Sequence, residues 1–560
     1  MTASGPDAHP FPGVAAAMQM LSLIRYSSFV LAVFFAIVLG GLFLVGSIGW
    51  GWPLLAVALA VLGVYDLIQR RHSVLRNYPI IGHLRFLFEF IRPELRQYFF
   101  ESDTDSIPFS RQQRAIVYQR AKQEIDSRAF GTQFDVYESG YEWLNHSASP
   151  VKVESHDFRV PVGAVAQASE SATSCTRPYS ASVFNISAMS FGSLSANAIR
   201  ALNRGAMLGH FAHDTGEGSI SRYHREFGGD LIWEIGSGYF GCRDADGRFD
   251  EERFIANATL DQVKMIEIKL SQGAKPGHGG MLPGAKVTEE IAEARGVAAW
   301  SDCISPAGHS AFSTPIELLQ FIDRLRRLSG GKPVGFKFAL GHPWEWFGIA
   351  KAMVATGITP DFIVVDGKEG GTGAAPAEFI DRIGTPMRDA LVLVHNTLVG
   401  LNLRHRIRIG AAGKIVSAFD MARAMALGAD WCNSGRGFMF AVGCIQAQVC
   451  HTGKCPTGVT TQDPQRQKAL DPDDKSVRVL NFHRNTLKSL AELVAAAGLS
   501  HPSQLEPMHI VQRRTRGEVH SYATVYPRLQ PGELLDSEAE PAVYRVFWSM
   551  ARPDSFRPVA

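Results

Sequence analysis

Hydrophobic patterning divides the chain into two textures. From Tyr26 to Tyr65 no charged residue occurs, a run of 40 positions interrupted only by the turn-forming Gly49-Trp50-Gly51-Trp52-Pro53. This pattern predicts two apolar helices, one near Ser27–Ile48 and one near Pro53–Ile68. A helix needs roughly 20 apolar residues to cross a bilayer; the first span exceeds that length and the second approaches it. The two tryptophans stand where aromatic residues gather at a lipid–water boundary. Arg25 precedes the first span, and Arg70, Arg71 and Arg76 follow the second. Positive residues at both outer ends place those ends, and everything downstream, on the cytoplasmic side. The expectation is an N-terminal tail over 1–25 and a transmembrane hairpin over 26–76, with membrane lipid as a partner and the inner (cytoplasmic) membrane as the location. The alternatives are a buried hairpin or a signal peptide, which would carry a single shorter apolar core.

Residues 77–150 predict a mostly helical connector, with an amphipathic helix over Phe86–Phe100 and a polar one over Arg111–Arg128. After Pro150, short apolar runs alternate with helical periods of ten to fifteen residues. The predicted strands are Val183–Ser187, Phe211–Asp214, Met265–Leu270, Trp300–Ile304, Val334–Phe338, Phe362–Val365, Arg406–Gly410 and Trp431–Ser434. Helices fall between them at Ser195–Leu208, Thr288–Arg295, Pro315–Ser329, Trp344–Thr356 and Ser417–Leu427. Eight strand-then-helix units over 151–475 predict an α/β fold, a parallel (β/α)8 TIM barrel, with a doubly wound open sheet as the alternative. A helix near Ser476–Ala497 and a polar, proline-bearing tail complete 476–560. In a barrel the functional residues gather at the carboxyl ends of the strands.

Composition narrows the chemistry. A formal net charge of +2, with no basic patch, gives no reason to expect nucleic acid. Seven cysteines in 560 residues form no disulfide framework, and three crowd into Cys444-x5-Cys450-x4-Cys455-Pro456. Thiolates at this spacing, with proline after the last, read as an iron–sulfur loop, and three suit a three-iron cluster. Zinc would need a fourth ligand, with His451 or Cys432 the candidates; unligated thiols are the remaining possibility.

Four glycine-rich clusters fall on the predicted carboxyl rim: Ser190-Phe191-Gly192-Ser193, Thr215-Gly216-Glu217-Gly218, the stretch Gly277 to Gly284, and Asp366-Gly367-Lys368-Glu369-Gly370-Gly371-Thr372-Gly373. Glycines let a backbone approach a flat ligand and its phosphate. Gly410-Ala411-Ala412-Gly413 and Gly435-Arg436-Gly437 end the last two strands, where barrels often bind phosphate. Lys337 on the fifth strand is a cation placed either to stabilise negative charge on a reduced flavin ring or to cap the barrel through salt bridges.

Ile186-Ser187-Ala188-Met189-Ser190-Phe191-Gly192 resembles the opening strand of the FMN domain of glutamate synthase. So, in unbroken order over about 150–475, do Thr215-Gly216-Glu217-Gly218, Gln272-Gly273-Ala274-Lys275-Pro276-Gly277, Leu282-Pro283-Gly284, Gly370-Gly371-Thr372-Gly373-Ala374 and the three-cysteine loop. The resemblance implies FMN at the barrel mouth, a [3Fe-4S] cluster beside it, and reductive amination of 2-oxoglutarate by ammonia through 2-iminoglutarate. It implies a catalytic Glu217 near the ammonia path and a catalytic, substrate-binding Lys275, with Gln272 and Arg295 also facing substrate. FMN would be held by Met189, Ser190, Lys337, Asp366, Gly370, Gly371, Thr372, Gly413, Gly435 and Arg436, and the cluster by Cys444, Cys450 and Cys455.

Departures from the family stand at His278 and Met281, where it usually has Glu and Gln, and at Ala307-Gly308-His309-Ser310, which replaces a proline- and histidine-rich turn. These positions put 2-oxoglutarate itself in question. No glutaminase nucleophile or pyridine-nucleotide domain is read in the sequence, so electrons are expected from ferredoxin, a reductase subunit or a membrane donor. The competing functions are an N-methylglutamate-synthase-like amine transfer and a membrane electron-transfer flavoprotein.

Overall fold

The computed structural model describes residues 25–69, 72–102, 108–165, 167, 172–535 and 542–559. The N-terminal tail up to residue 24, Arg70 and Arg71 lie outside them. The chain divides into two compact units, 1–102 and 103–560. The division falls inside the segment read as a connector, so the amphipathic helix groups with the hairpin and the polar helix with the barrel.

In the first unit, Ser27–Leu44 and Gly51–Ile68 are apolar helices of 18 residues, long and apolar enough to cross a membrane, with only 6% and 22% of their residues buried. A short helix, Ser73–Asn77, leads into Gly82–Leu95, which ends in a wider π turn over Arg96–Phe100.

The second unit is built on a closed barrel of eight parallel strands. In chain order they are β1 (Phe184–Ile186), β2 (His213–Asp214), β3 (Leu231–Ile235), β4 (Val263–Lys269), β5 (Val334–Phe338), β6 (Phe362–Asp366), β7 (Arg408–Ala412) and β8 (Trp431–Ser434). Each neighbours the next, and β8 closes on β1 through Cys432↔Phe184 and Ser434↔Ile186. Near-continuous apolar strands suit a sheet covered on both faces. The covering helices begin on polar caps: Ser195 accepts from the Ala198 N–H, Thr314 from Glu317, and Ser417 forms a reciprocal box with Asp420. Such caps satisfy amide donors that a helix start leaves unpaired.

Two expectations are corrected. Trp300–Ile304 is not a barrel strand: Trp300 is 64% and Ile304 63% exposed, and only Cys303–Ile304 pairs, antiparallel, with Met281–Leu282. The third barrel strand is instead Leu231–Ile235, wholly buried despite Glu234 at its centre. A charged residue inside the run and a mere four-residue helix, Arg222–Arg225, before it hide its period. The second correction concerns the C-terminus, which is no simple polar tail. Ile510–Thr515 pairs with Glu142–Leu144 and with Glu518–Ser521 in a three-stranded sheet. There Glu142 binds Arg388, Arg423 and the Tyr522 hydroxyl. Further on, the Tyr544 ring stacks on Phe347 at 5.0 Å, and its hydroxyl lies 3.1 Å from Thr397 Oγ1. Apolar residues spaced along a polar stretch thus reseal the helical layer of the barrel.

Five histidines, His213, His224, His309, His395 and His483, are held neutral mainly by burial. The imidazole of His483, stacked on Phe211 at 3.8 Å, is pushed down to about 3, as are His213 and His395, and His309 to about 4. An unfolded histidine titrates near about 6.5. The unfolded chain therefore binds more protons at any pH between these values, and stability falls as pH drops below about 6.5, by about 1.4 kcal/mol per pH unit per histidine. Melting temperature should fall steeply between pH 7 and 5.5, and His483→Gln should flatten that dependence by one proton's worth; an unchanged slope would contradict a buried neutral ring.

Candidate active site and cysteine-lined cavity

Five consecutive strands deliver charged side chains to the inside of the barrel near its carboxyl end: Asp214 from β2, Glu234 from β3, Glu267 and Lys269 from β4, Lys337 from β5 and Asp366 from β6. Parallel register sets Glu234 beside Glu267 and Lys269 beside Lys337. Alternation makes positions two apart share a face, so Glu267 and Lys269 both face inward. Lys337 Nζ pairs with Glu234 and lies 3.4 Å from Glu267. Lys269 Nζ lies 3.1 Å from Glu217 and 3.9 Å from Glu234.

Carboxyl oxygens of Asp214, Glu234 and Glu267 lie within 4.8 Å of one another, all buried. Burial, then the charges of Asp214 and Asp366, drive Glu267 well above the carboxylate range. Asp214 is also raised, by burial, with Lys337 opposing. Two carboxyl groups this close in low dielectric favour retention of a proton between them. Glu217 is the opposite case: burial raises it, but Lys269, Arg295 and Lys275 outweigh burial and hold it below the ordinary range, ionised at neutral pH.

Above this layer the loops interlock. Glu217, Ser237, Lys269, Gln272, His278 and Ala307 line a cavity of about 350 Å³. Gln272 and Lys275 sit in a loop pressed against the loop after β6: the Gly273 N–H donates to Asp366 at 3.0 Å, and a Cβ on Gly273 would overlap the Gly367 carbonyl. Lys275 is 9% exposed, and its ammonium has no hydrogen bond or ion pair among the described residues. Burial depresses Lys275 while Glu217 supports its charge.

Arg295 stands apart from the cavity wall. Its guanidinium donates to the Phe191 carbonyl at 3.2 Å, contacts Cys303 Sγ at 3.6 Å and lies over the Phe240 ring, and among the described residues Nε has no partner. Met281, 60% exposed, is not part of that wall either. His309 is a half-buried prop, 3.1 Å from the Tyr239 hydroxyl and 2.8 Å from the Lys269 carbonyl.

The glycine-rich positions gather on the other side of the mouth. Arg436 Nη2 donates to the Thr372 carbonyl at 2.7 Å and lies where a Cβ on Gly371 would be. Gly435 faces Met189, whose sulfur would lie 3.8 Å from a Cβ there. Ser190 Oγ donates to Ser193 at 3.0 Å, and the Gly367 N–H donates to Ala412 at 2.8 Å, one residue before Gly413. Gly370 packs against Asp366. This rim presents backbone and one guanidinium, a cradle suited to a phosphate and a flat ring.

Cys444, Cys450 and Cys455 line a second, apolar cavity of about 260 Å³, walled also by Ile445, Val449, Pro456 and Val459. Their sulfurs do not converge within 4.8 Å, unlike the carboxylate trio. Three thiolates on one zinc would sit about 3.8 Å apart, given Zn–S of about 2.3 Å. Neither His451 nor Cys432 lines the cavity. For Cys455, burial opposes the thiolate, but hydrogen bonds from Thr457 and Thr460 outweigh it and lower the thiol below its usual range. Lys286 Nζ donates to the Cys450 carbonyl at 2.8 Å, and Gln462 Nε2 to the Gly192 carbonyl at 3.0 Å, tying the cysteine loop to the mouth loops.

The site thus includes Asp214, Glu234, Glu267, Lys269 and Ser237, which sequence reasoning passed over. A signal was present in β4, where Glu267 and Lys269 stand two apart around Ile268, after the apolar Met265 and Ile266.

Residues 124–500 match the family described as the conserved region in glutamate synthase. The glutamate synthase large subunit-like protein YerD of Bacillus subtilis is 39% identical over 495 residues, 83% of this chain and 94% of that protein. An archaeal-type glutamate synthase [NADPH] of Thermotoga neapolitana is 38% identical over 314 residues, 56% of this chain and 59% of that one. The glutamate synthase [NADPH] large chain of Azospirillum brasilense is 32% identical over 375 residues, 62% of this chain and 24% of that one. The matches thus span less than two thirds of these last two proteins. Among solved structures, a flavocytochrome b2 variant with sulfite bound aligns over 76% of this chain and 85% of that one at 13% identity, with a TM-score of 0.39, too slight a likeness to argue from.

The backbone contact at Gly273 carries a prediction. Gly273→Ala should displace the loop bearing Gln272 and Lys275 and cost at least about 2 kcal/mol through overpacking. Gly308→Ala, where a Cβ meets nothing within 4 Å, should be silent. Thermal unfolding of the two variants beside the parent checks this.

Proposed function

The chain belongs to the glutamate synthase family, oxidoreductases acting on CH–NH2 donors, and we propose that its barrel uses FMN and a [3Fe-4S] cluster for reductive amination of a 2-oxo acid, with 2-oxoglutarate and ammonia giving glutamate. One observation carries the reading: Glu217 in the loop after β2, Lys269 at the end of β4 and Gln272 in the loop after it line a single cavity at the carboxyl end of the barrel.

The residues present fit both groups. Gly371, Thr372, Gly413, Gly435 and Arg436 would hold the phosphate of FMN, with Met189 and Ser190 along the ring and Asp366 securing the Gln272–Lys275 loop through Gly273. Lys337 would support the ring only in part, since its charge is shared with Glu234 and Glu267. Cys444, Cys450 and Cys455 wall a cavity whose dispersed sulfurs suit a multi-iron core better than one zinc ion. Bound there, FMN supplies a hydride to the imine carbon and the cluster supplies single electrons.

The protein's own part is positioning and charge. Ammonia adds to the oxo carbon and water leaves, forming the imine; hydride and a proton then complete the amino acid. Glu217, ionised, binds ammonium as a cation and accepts a proton as nitrogen attacks. Lys275, a buried cation with no hydrogen bond or ion pair among the described residues and only the field of Glu217 supporting its charge, is matched to a substrate carboxylate. Arg295 assists through its field on Glu217, with Nη1 directed to Cys303 and Nη2 to the Phe191 carbonyl.

The wall positions His278 and Ala307 favour a second reading, an amine transfer onto glutamate as in N-methylglutamate synthases, because both stand where the resemblance expects different residues. The two apolar helices support a third, an electron-transfer module drawing on a membrane donor rather than ferredoxin or a reductase subunit. They also support placing the chain in the cytoplasmic membrane with the barrel on the cytoplasmic face.

Anaerobically reduced protein given 2-oxoglutarate and ammonium should regain the oxidised flavin spectrum as glutamate forms. Formation of N-methylglutamate from glutamate and methylamine would favour the second reading, and silence in both with electron exchange to quinone the third. Lys275→Ala should lower kcat/KM by roughly 10–100-fold, the worth of a hydrogen bond to a charged group, while FMN content stays unchanged. Cys450→Ser should abolish the low-field iron resonance of an oxidised three-iron cluster; an intact spectrum would remove Cys450 as a ligand.

A further inference from the structure

We propose that the helix Gly82–Leu95 and the π turn Arg96–Phe100 lie along the lipid–water interface, as a third membrane-contacting element beside the two span-length helices. The inference rests on the reading of those helices as a membrane hairpin and adds a surface that the hairpin alone does not supply.

Position comes first. Asp66, fully buried near the end of the second apolar helix, accepts the Ile80 N–H at 2.9 Å and meets His83 Nε2 at 2.9 Å. Ser28 Oγ, at the start of the first apolar helix, donates to the Pro79 carbonyl at 2.6 Å. Both contacts secure the entry to Gly82–Leu95 at the open end of the hairpin, a full helix length from Trp50 and Trp52 at its turn. The aromatic turn marks one boundary of a bilayer, and the helix starts at the level of the other.

Pattern and exposure come next. Leu84, Leu87, Phe88, Ile91 and Leu95 recur at intervals of three and four, placing them on one helical face. Arg85, Glu89 and Arg92 form the opposite face, with Arg85 Nε donating to Glu89 at 3.1 Å. On that face Leu84 is 48%, Leu87 51% and Phe88 58% exposed, Ile91 and Leu95 are half-buried, and Phe90 beside it and Phe99 and Phe100 in the π turn are exposed. An amphipathic helix with aromatic and leucine residues on one face and arginines on the other is the form that beds into the headgroup–acyl boundary.

Continuity selects lipid over a protein partner. The uncovered surface of this helix belongs to the same compact unit as two helices with exposed apolar sides of their own, and a lipid surface at that level covers all three together. A second copy of the chain would have to reach the helix at the height of the headgroups.

The test uses the full-length protein in nanodiscs of phosphatidylethanolamine and phosphatidylglycerol. The photoreactive residue p-benzoylphenylalanine replaces Phe35 on the hairpin, Leu84 or Phe88 on the apolar face, or Glu89 on the polar face, one at a time. Lipid adducts by mass spectrometry at positions 35, 84 and 88, several-fold above position 89, are expected. Lipid adducts at 35 with protein–protein cross-links, or none, at 84 and 88 would overturn the inference and leave the hairpin standing. Absence of lipid adducts at 35 would remove the hairpin reading and this inference together.

Discussion

The constraint on which the site depends is the balance of charge inside the barrel. Among the described residues, buried Asp214, Glu234 and Glu267 and half-buried Asp366 share one layer with Lys269 and Lys337, and burial penalises every uncompensated charge. The layer resolves this by dividing roles. Glu234 bridges both lysines, Glu267 and Asp214 are driven toward holding a proton, and Lys269 turns outward to Glu217. The carboxylate that faces the cavity is therefore ionised by its neighbouring cations, while the carboxyl beneath it is kept neutral by burial and by the acidic groups beside it, against the pull of Lys269. Removing one lysine would change the protonation of groups that never touch a ligand.

A single stretch of backbone connects the two candidate cavities. Gln272 lines the mouth, Gly273 binds Asp366 by close approach, Gly279 and Gly280 pack on Ser305, and Lys286 holds the carbonyl of Cys450. Fifteen residues from Gln272 to Lys286 thus run from the cavity wall to the cysteine loop. The two ends are tied through close backbone approaches at Gly273, Gly279 and Gly280.

The outer parts of the second unit serve this core. Glu142, from a strand far ahead of the barrel in sequence, joins Arg388, Arg423 and Tyr522 on the helices and C-terminal segment that flank β7 and β8. Burial opposes the Glu142 charge, and the two arginines overcome it and hold the carboxyl below its usual range. Segments that looked peripheral in sequence thereby brace the helix following Gly413.

Much of this was legible from sequence alone. The uncharged run between Tyr26 and Tyr65, the alternation of strands and helices, the glycine clusters and the three-cysteine spacing all express local rules of periodicity and turn chemistry, and they pointed to the barrel, its rim and its cysteine loop. Local rules failed where partners are distant. Leu231–Ile235 could not be read as a barrel strand because Glu234 is tolerated there only through lysines on two other strands, and Cys303–Ile304 mimicked one because its true partner, Met281–Leu282, lies across a loop. Arg295 lies buried with Nη1 against Cys303 and Nη2 on the Phe191 carbonyl, contacts that no local sequence rule announces. Sequence determined which chemical groups reach the mouth of the barrel. Tertiary structure decided which of them are charged and free to bind, because burial and ion pairing depend on neighbours that the chain brings together only on closing.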